Sequence, residues 1–285
     1  MATISFEQRM LDCGILTDGY CIHNRGTSCA YQCPTSWMGG DDDDTDVRPV
    51  LKILDLFCCA GGCAAGYYRA FTEAGYDVQI TGVDLAPQPR YPYHFVQGDA
   101  ISYAAFRGWQ FDFIHASPPC QPHSEMKRIT QREYLDLVPL TRFVLHSLGL
   151  PYVIENVEGA RKALRNPITL CGGHFGLKVY RHRLFESNLL LTAPDHVPHN
   201  DKTPSAGRGL SPKGFISVTG TGGICNAPEA FHYMTYASQA MGIDWMSRAE
   251  LSQAVPPAYT HHLGKQLATH FDSLRAKHEL LKEAA

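Results

Sequence analysis

Four short apolar runs separated by helix-like stretches most limit what this chain can become: Leu51-Lys52-Ile53-Leu54-Asp55-Leu56-Phe57, Gln79-Ile80-Thr81-Gly82-Val83-Asp84, Phe111-Asp112-Phe113-Ile114-His115-Ala116 and Tyr152-Val153-Ile154-Glu155-Asn156. Runs of this length bounded by polar or small residues read as buried strands, and their alternation with helical stretches implies βαβ units: an α/β fold with a doubly wound, mostly parallel sheet. Ligands of such sheets bind beyond the carboxyl ends of the strands, so the residues closing each run are the first candidates for chemistry. Residues 189–240 break the rhythm with Pro194, Pro198, Pro204, Pro212 and Gly220-Thr221-Gly222-Gly223, and read as a small loop-rich lobe inserted into a core of residues 51–188. Leu263, Leu267, Phe271 and Leu274 have helical spacing, so residues 241–285 are expected to return and pack on the sheet.

Residues 1–50 differ in texture. A capping-box start at Ser5-Phe6-Glu7-Gln8 and four cysteines are followed by Asp41-Asp42-Asp43-Asp44, a self-repelling run that reads as a solvated linker. With 285 residues, 44% hydrophobic and 19% charged, the chain can bury one large core with a small appendage. No stretch approaches the ~18 consecutive apolar residues of a membrane span, and the N-terminus lacks a charged-then-apolar signal pattern, so a cytosolic protein with no membrane association is expected. The net charge of −3 leaves any polyanionic partner to a local basic surface.

Ten cysteines without a secretory signal read as free, catalytic or metal-bound rather than paired. Cys13, Cys21, Cys29 and Cys33, with His23, offer a zinc set, though only Cys29-x3-Cys33 has common ligand spacing. A metal-free extension is the preferred reading there, and no metal is assigned elsewhere. Cys171 and Cys225 read as small buried hydrophobes.

The first run ends in Phe57-Cys58-Cys59-Ala60-Gly61-Gly62, a turn whose glycines would let a ligand approach the backbone or, equally, a helix and strand make close contact. Asp84 closes the second run where an acid can accept both hydroxyls of a ribose, and Asp99 follows the next short segment within reach of an adenine amino group. Ser117-Pro118-Pro119-Cys120 stiffens the backbone just past the third run and presents Cys120 as a nucleophile. Glu155 lies on an apolar strand, where burial would raise its pKa. Tyr180-Arg181-His182-Arg183, read as extended, puts Arg181 and Arg183 on one face; an edge strand blunted by charge is the alternative. Arg161, Lys162, Arg165 and Lys178 make a phosphate-binding surface a competing use of this region.

These motifs, with Glu155-Asn156-Val157 and Gln253-Ala254-Val255-Pro256-Pro257, follow one another over roughly residues 51–268 in the order found in DNA cytosine-5 methyltransferases, and the chain resembles that family. The resemblance implies a Rossmann-like S-adenosylmethionine-dependent methyltransferase in which the cofactor is held by Phe57, Ala60, Gly61, Gly62, Asp84, Leu85, Asp99, Ala100, Pro119, Gln253 and Ala254. It implies that Cys120 adds to C6 of cytosine, that Glu155 serves N3, and that Arg181 and Arg183 serve the base carbonyl. Gln121, Ser124 and Arg183 would contact double-stranded DNA around a flipped base, under a mobile loop from Gln121 to Arg128. The lobe at 189–240 would recognise the target. It is short, similar to compact phage enzymes and restriction-modification methylases; a cytoplasmic monomer is expected, in the host cell's cytoplasm if the protein is phage-encoded. Cys59 replaces the family's first glycine, Val179 a frequent glutamine, and Gln253 a usual asparagine.

The same constellation occurs in a branch acting on transfer RNA; Ser124, where that branch typically carries threonine, leans toward DNA. A catalytically silent DNA-binding homologue is disfavoured by the intact Cys120, Glu155 and Asp84.

Overall fold

The computed structural model describes residues 48–123, 134–196, 198–199, 210–219 and 230–283. The expectations for the N-terminal cysteines, the aspartate run, Ser124, Cys225 and most of the lobe lie outside these residues. In chain order the elements are β1 (Val50–Leu56), α1 (Gly62–Glu73), β2 (Asp77–Asp84), β3 (His94–Gln97), α2 (Ala100–Arg107), β4 (Phe113–Ala116), α3 (Val138–Leu148), β5 (Tyr152–Asn156), β6 (Ile168–Leu170), β7 (Arg183–Ser187), α4 (Ala230–Met241), α5 (Arg248–Gln253) and α6 (Pro257–Glu283).

All four apolar runs are strands, and they are buried on both faces because helices cover both. Leu51 and Ile53 of β1, Phe113 of β4 and Val153 of β5 face one layer with Tyr67 and Phe71 of α1 and Tyr259, Leu263 and Leu267 of α6. Leu54, Leu56, Ile114 and Ile154 face the other, against Ala104 of α2 and Val138 and Leu145 of α3. This strict alternation sends neighbouring residues to opposite cores, which is why the strands read as near-continuous hydrophobic runs.

The sheet order is β3-β2-β1-β4-β5-β7-β6. β3, β2, β1, β4 and β5 run parallel, whereas β7 is antiparallel to both β5 and β6. Chain order reverses direction between β1 and β4, so a crevice opens at their carboxyl ends. α6 crosses α1 closely because Gly66 has no side chain: a Cβ there would lie 2.1 Å from the Pro257 carbonyl oxygen. As expected, Leu263, Leu267 and Phe271 pack on the sheet layer.

The reading of Tyr180–Arg183 as one extended stretch is overturned. β7 begins only at Arg183, and Arg181 has φ of 32°, a left-handed conformation that interrupts the alternation. Nor is β7 an edge strand; it lies between β5 and β6. Its one internal charge, Glu186, is matched by Arg142, which donates from Nε and Nη2 to the two carboxylate oxygens at 2.6 Å each.

Residues 210–219 join α4, α5 and the turn after β1 in a third apolar cluster that includes Ala60, Val179, Ile216, Val218, Met241 and Leu251.

Candidate active site

The loops after β1, β2, β4 and β5 converge at the crevice. After β1 the chain turns sharply: Phe57 (φ 56°), Cys59 (φ 44°) and Gly61 (φ 82°) all adopt left-handed conformations. Two of the three are not glycine, so the turn holds conformational strain. Asp84 at the end of β2 secures it, one carboxylate oxygen accepting from the Cys59 amide at 3.0 Å and the other from the Ala86 amide at 3.0 Å. Beside it Leu85 is 74% exposed, an apolar surface at the crevice. Asp99 caps α2 by accepting from the Ser102 amide at 2.7 Å, and Ala100 is buried in the first turn of that helix.

The glycines were expected to admit a ligand, but protein fills their vicinity. A Cβ on Gly61 would lie 2.8 Å from Pro92 Cδ, and one on Gly62 would lie 2.5 Å from the Val255 carbonyl oxygen. Gly62 thus lets the Gln253–Pro257 segment close against the turn. Ala60 is buried, and its carbonyl accepts from the Trp245 indole at 2.8 Å.

Pro119 and Cys120 lie just past β4, and Gln121 opens a single 3-10 turn, Gln121–His123. The asparagine after Glu155 holds this segment: Asn156 donates from Nδ2 to the Pro118 carbonyl at 3.0 Å. In the sequence, the signal for this role is the place of Asn156 one residue beyond Glu155.

Glu155 is buried and lies 3.1 Å from Arg183 Nε. Burial raises its pKa, while Arg183, a hydrogen bond from Ser117 and Arg181 pull it down; the net direction is upward. Cys120 is partly buried. Burial, then the Glu155 charge, push its thiol above the ordinary value, with Arg183 and Arg181 opposing. The cations therefore do not produce a standing thiolate.

Arg181 does not join Arg183 in facing outward from a strand. Its guanidinium donates to the carbonyls of Ala254 (2.7 Å), Ser252 (2.6 Å) and Val218. Burial and the like charge of Arg183 push its pKa below the ordinary arginine value. Arg181 thus ties together the β7 approach, residues 210–219 and the Gln253–Ala254 segment, and its charge still reaches Cys120 and Glu155.

A line of buried polar groups escaped the sequence reading. Tyr67 Oη lies 3.1 Å from His115 Nδ1, and His115 Nε2 lies 3.0 Å from Ser117 Oγ, which hydrogen-bonds Glu155. Burial lowers the His115 pKa to about 3, so the imidazole is neutral at physiological pH. If Tyr67 donates to Nδ1, Nε2–H donates to Ser117 and leaves the serine hydroxyl hydrogen for Glu155, so every donor is used. The signal was a polar histidine inside an apolar strand.

No protein-family model and no curated protein matches the chain. Among solved structures it is similar to EhMeth, a methyltransferase of Entamoeba histolytica, at 13% identity and a TM-score of 0.51 over 80% of this chain and 99% of that one. It is also similar to the Dnmt2 methyltransferase of S. pombe, at 14% identity and a TM-score of 0.47 over 79% of this chain and 99% of that one. EhMeth is not a phage enzyme, so the phage-like expectation gains no support. Sheet order, mixed strand direction and the first likeness together identify a Rossmann-like methyltransferase fold.

Proposed function

We propose that this protein transfers a methyl group from S-adenosylmethionine to C5 of cytosine in duplex DNA through a covalent adduct at Cys120. The observation carrying this reading is the buried Glu155–Arg183 pair, 3.1 Å apart at the end of β5, within electrostatic reach of Cys120 beyond the adjoining strand β4.

The crevice residues fit the methyl donor. Each Asp84 oxygen accepts one amide, and an ionised carboxylate has lone pairs left for ribose hydroxyls. Exposed Leu85 can cover one face of an adenine ring. Bound there, S-adenosylmethionine would supply an electrophilic methyl group.

Cytosine C5 is a poor nucleophile. Addition of the Cys120 sulfur to C6 makes the S–C6 bond and moves the C5–C6 π electrons toward C5, with negative charge spreading to N3. Because burial and Glu155 hold the thiol proton on, it passes to water in the open crevice as the S–C6 bond forms. Glu155, which keeps its proton to higher pH than an ordinary glutamate, hydrogen-bonds or protonates N3, and Arg183 offers N–H to the ring carbonyl. After methylation, loss of the C5 proton and breakage of the S–C6 bond return the thiolate. A duplex base must leave the stack to reach Cys120, at a cost of a few kcal/mol that backbone contacts offset.

The test is methyl transfer from labelled S-adenosylmethionine to duplex DNA and transfer RNA in parallel, with a 5-fluorocytosine duplex to trap the adduct. A denaturation-resistant complex that Cys120→Ser abolishes is expected with DNA. Labelling of transfer RNA alone would move the substrate, and normal turnover by Cys120→Ser would overturn the mechanism.

A further inference from the structure

Near the start of β7, four side chains from three separate stretches converge. Cys171 follows β6, His182 precedes β7, and His196 and His199 come from the segment leading into the lobe. One ligand atom from each lies within 4.8 Å of all the others. Cys171 Sγ is 3.4 Å from His199 Nε2, and His182 Nε2 is 3.0 Å from His196 Nε2. A tetrahedral ion with metal–ligand bonds of about 2.0–2.3 Å needs its ligands roughly 3.3–3.8 Å apart, so a set lying within 4.8 Å of one another closes on an ion by side-chain shifts of up to about an ångström.

We propose that Cys171, His182, His196 and His199 bind one zinc ion that fastens the 196–199 segment to the sheet. One thiolate with three imidazoles is a borderline-soft donor set suited to zinc, and four protein ligands close the tetrahedron, so the ion is structural rather than catalytic. The surroundings match such a site. The other ring nitrogen of His182, Nδ1, faces the Glu158 carboxylate at 3.8 Å, an acid behind a ligating imidazole. Tyr180 stacks on His199 with centroids 3.5 Å apart and on Phe215 at 4.3 Å, fixing the plane of the ligand ring before any metal arrives.

The residues are 11, 14 and 3 positions apart along the chain, with no paired-cysteine motif, so the sequence suggested nothing. Cys171 is buried, as expected, but its sulfur faces a histidine rather than an apolar wall. Two hydrogen-bonded pairs, Cys171–His199 and His182–His196, are the metal-free alternative. The proposal is independent of the methyl-transfer reading.

The test is zinc content of the purified full chain by mass spectrometry, with cobalt substitution to read the ligands. The N-terminal cysteines could bind a second ion, so Cys29→Ser/Cys33→Ser serves as the control. Wild type should hold one zinc that this control keeps and that His196→Ala, at an exposed position, loses. His196→Cys, which restores a ligand, should regain it. The cobalt form should show tetrahedral d–d bands with weak, single-thiolate charge transfer that vanishes in Cys171→Ser. Absence of zinc from wild type, or full retention by His196→Ala, would leave hydrogen-bonded pairs only and overturn the proposal.

Discussion

Arg183 Nε sits 3.1 Å from Glu155 Oε1, and both groups are at least four-fifths shielded from water. The pair fixes the charge around Cys120 from one side, because Arg183 lowers the pKa of both Glu155 and the thiol while Glu155 raises that of the thiol. Arg183→Met should therefore let both groups rise further. Methyl transfer is expected to fall about 10²–10³-fold, the usual cost of losing one aimed donor. The remaining activity should need higher pH at its thiol-dependent limb. A kcat–pH profile checks this, and an unshifted profile would show that Arg183 does not govern the titration.

His115 has the opposite signature to an ordinary histidine. Its folded pKa of about 3 lies below the unfolded value near 6.5, so the unfolded chain takes up a proton first as pH falls. Its contribution to stability is complete above about pH 6.5 and is lost toward pH 3 at roughly 1.4 kcal/mol per pH unit. His115→Leu should flatten that acid limb in urea unfolding. It should also cost about 1–3 kcal/mol at pH 7 by leaving the Tyr67 hydroxyl without its partner. An acid limb as steep as in wild type would refute the assignment.

Asp55 runs the other way. It is fully buried, its Oδ1 has no hydrogen-bond partner, and Tyr91 donates to Oδ2 at 3.1 Å. Burial raises its pKa well above the ordinary carboxylate value, so folding retains a proton that the unfolded chain gives up above about pH 4. Stability is favoured below that pH and falls as pH rises toward the folded value. Asp55→Asn should gain on wild type by up to about 1.4 kcal/mol per pH unit in that window. Above about pH 4 the slope from Asp55 opposes that from His115, so each variant should tilt the wild-type curve in a different direction there. Parallel stability–pH curves for Asp55→Asn and wild type would count against this account.

At Cys59 the expected family glycine is missing, and φ of 44° shows why glycine would suit the position. A side chain there costs of order 1 kcal/mol. Cys59→Gly should raise the melting temperature or leave it unchanged, because relief of strain offsets the added freedom of the unfolded chain. Cys59→Val, β-branched at the same angle, should lower it. Calorimetry on the two variants distinguishes them, and a large loss in Cys59→Gly would show that the thiol itself holds the turn.

What could be read in advance follows from range along the chain. The strands, their parallel order and the placement of Asp84, Cys120 and Glu155 at strand ends depend on short-range apolar pattern and on one topological rule. The roles of Gly62 and Arg181 do not, since each meets residues more than 70 positions away that no local pattern announces: Val255 for Gly62, and Ser252 and Ala254 for Arg181. Nor does any local pattern announce the pairing of Tyr67 with His115, 48 residues on. The expectation for Tyr180–Arg183 failed because alternating charges imitate a strand, whereas the backbone turns left-handed at Arg181 to deliver its guanidinium to three carbonyls.

The position of β7 between β5 and β6 has a consequence for synthesis. Emerging from the ribosome, β6 has no strand to join until residues 183–187 follow it, and until then β5 presents an unpaired edge. Among the described strands, the last one made is thus the wedge between two others. A nascent chain halted before residue 183 would carry an open, aggregation-prone border beside Glu155, and the site could assemble only once β7 has slid into place.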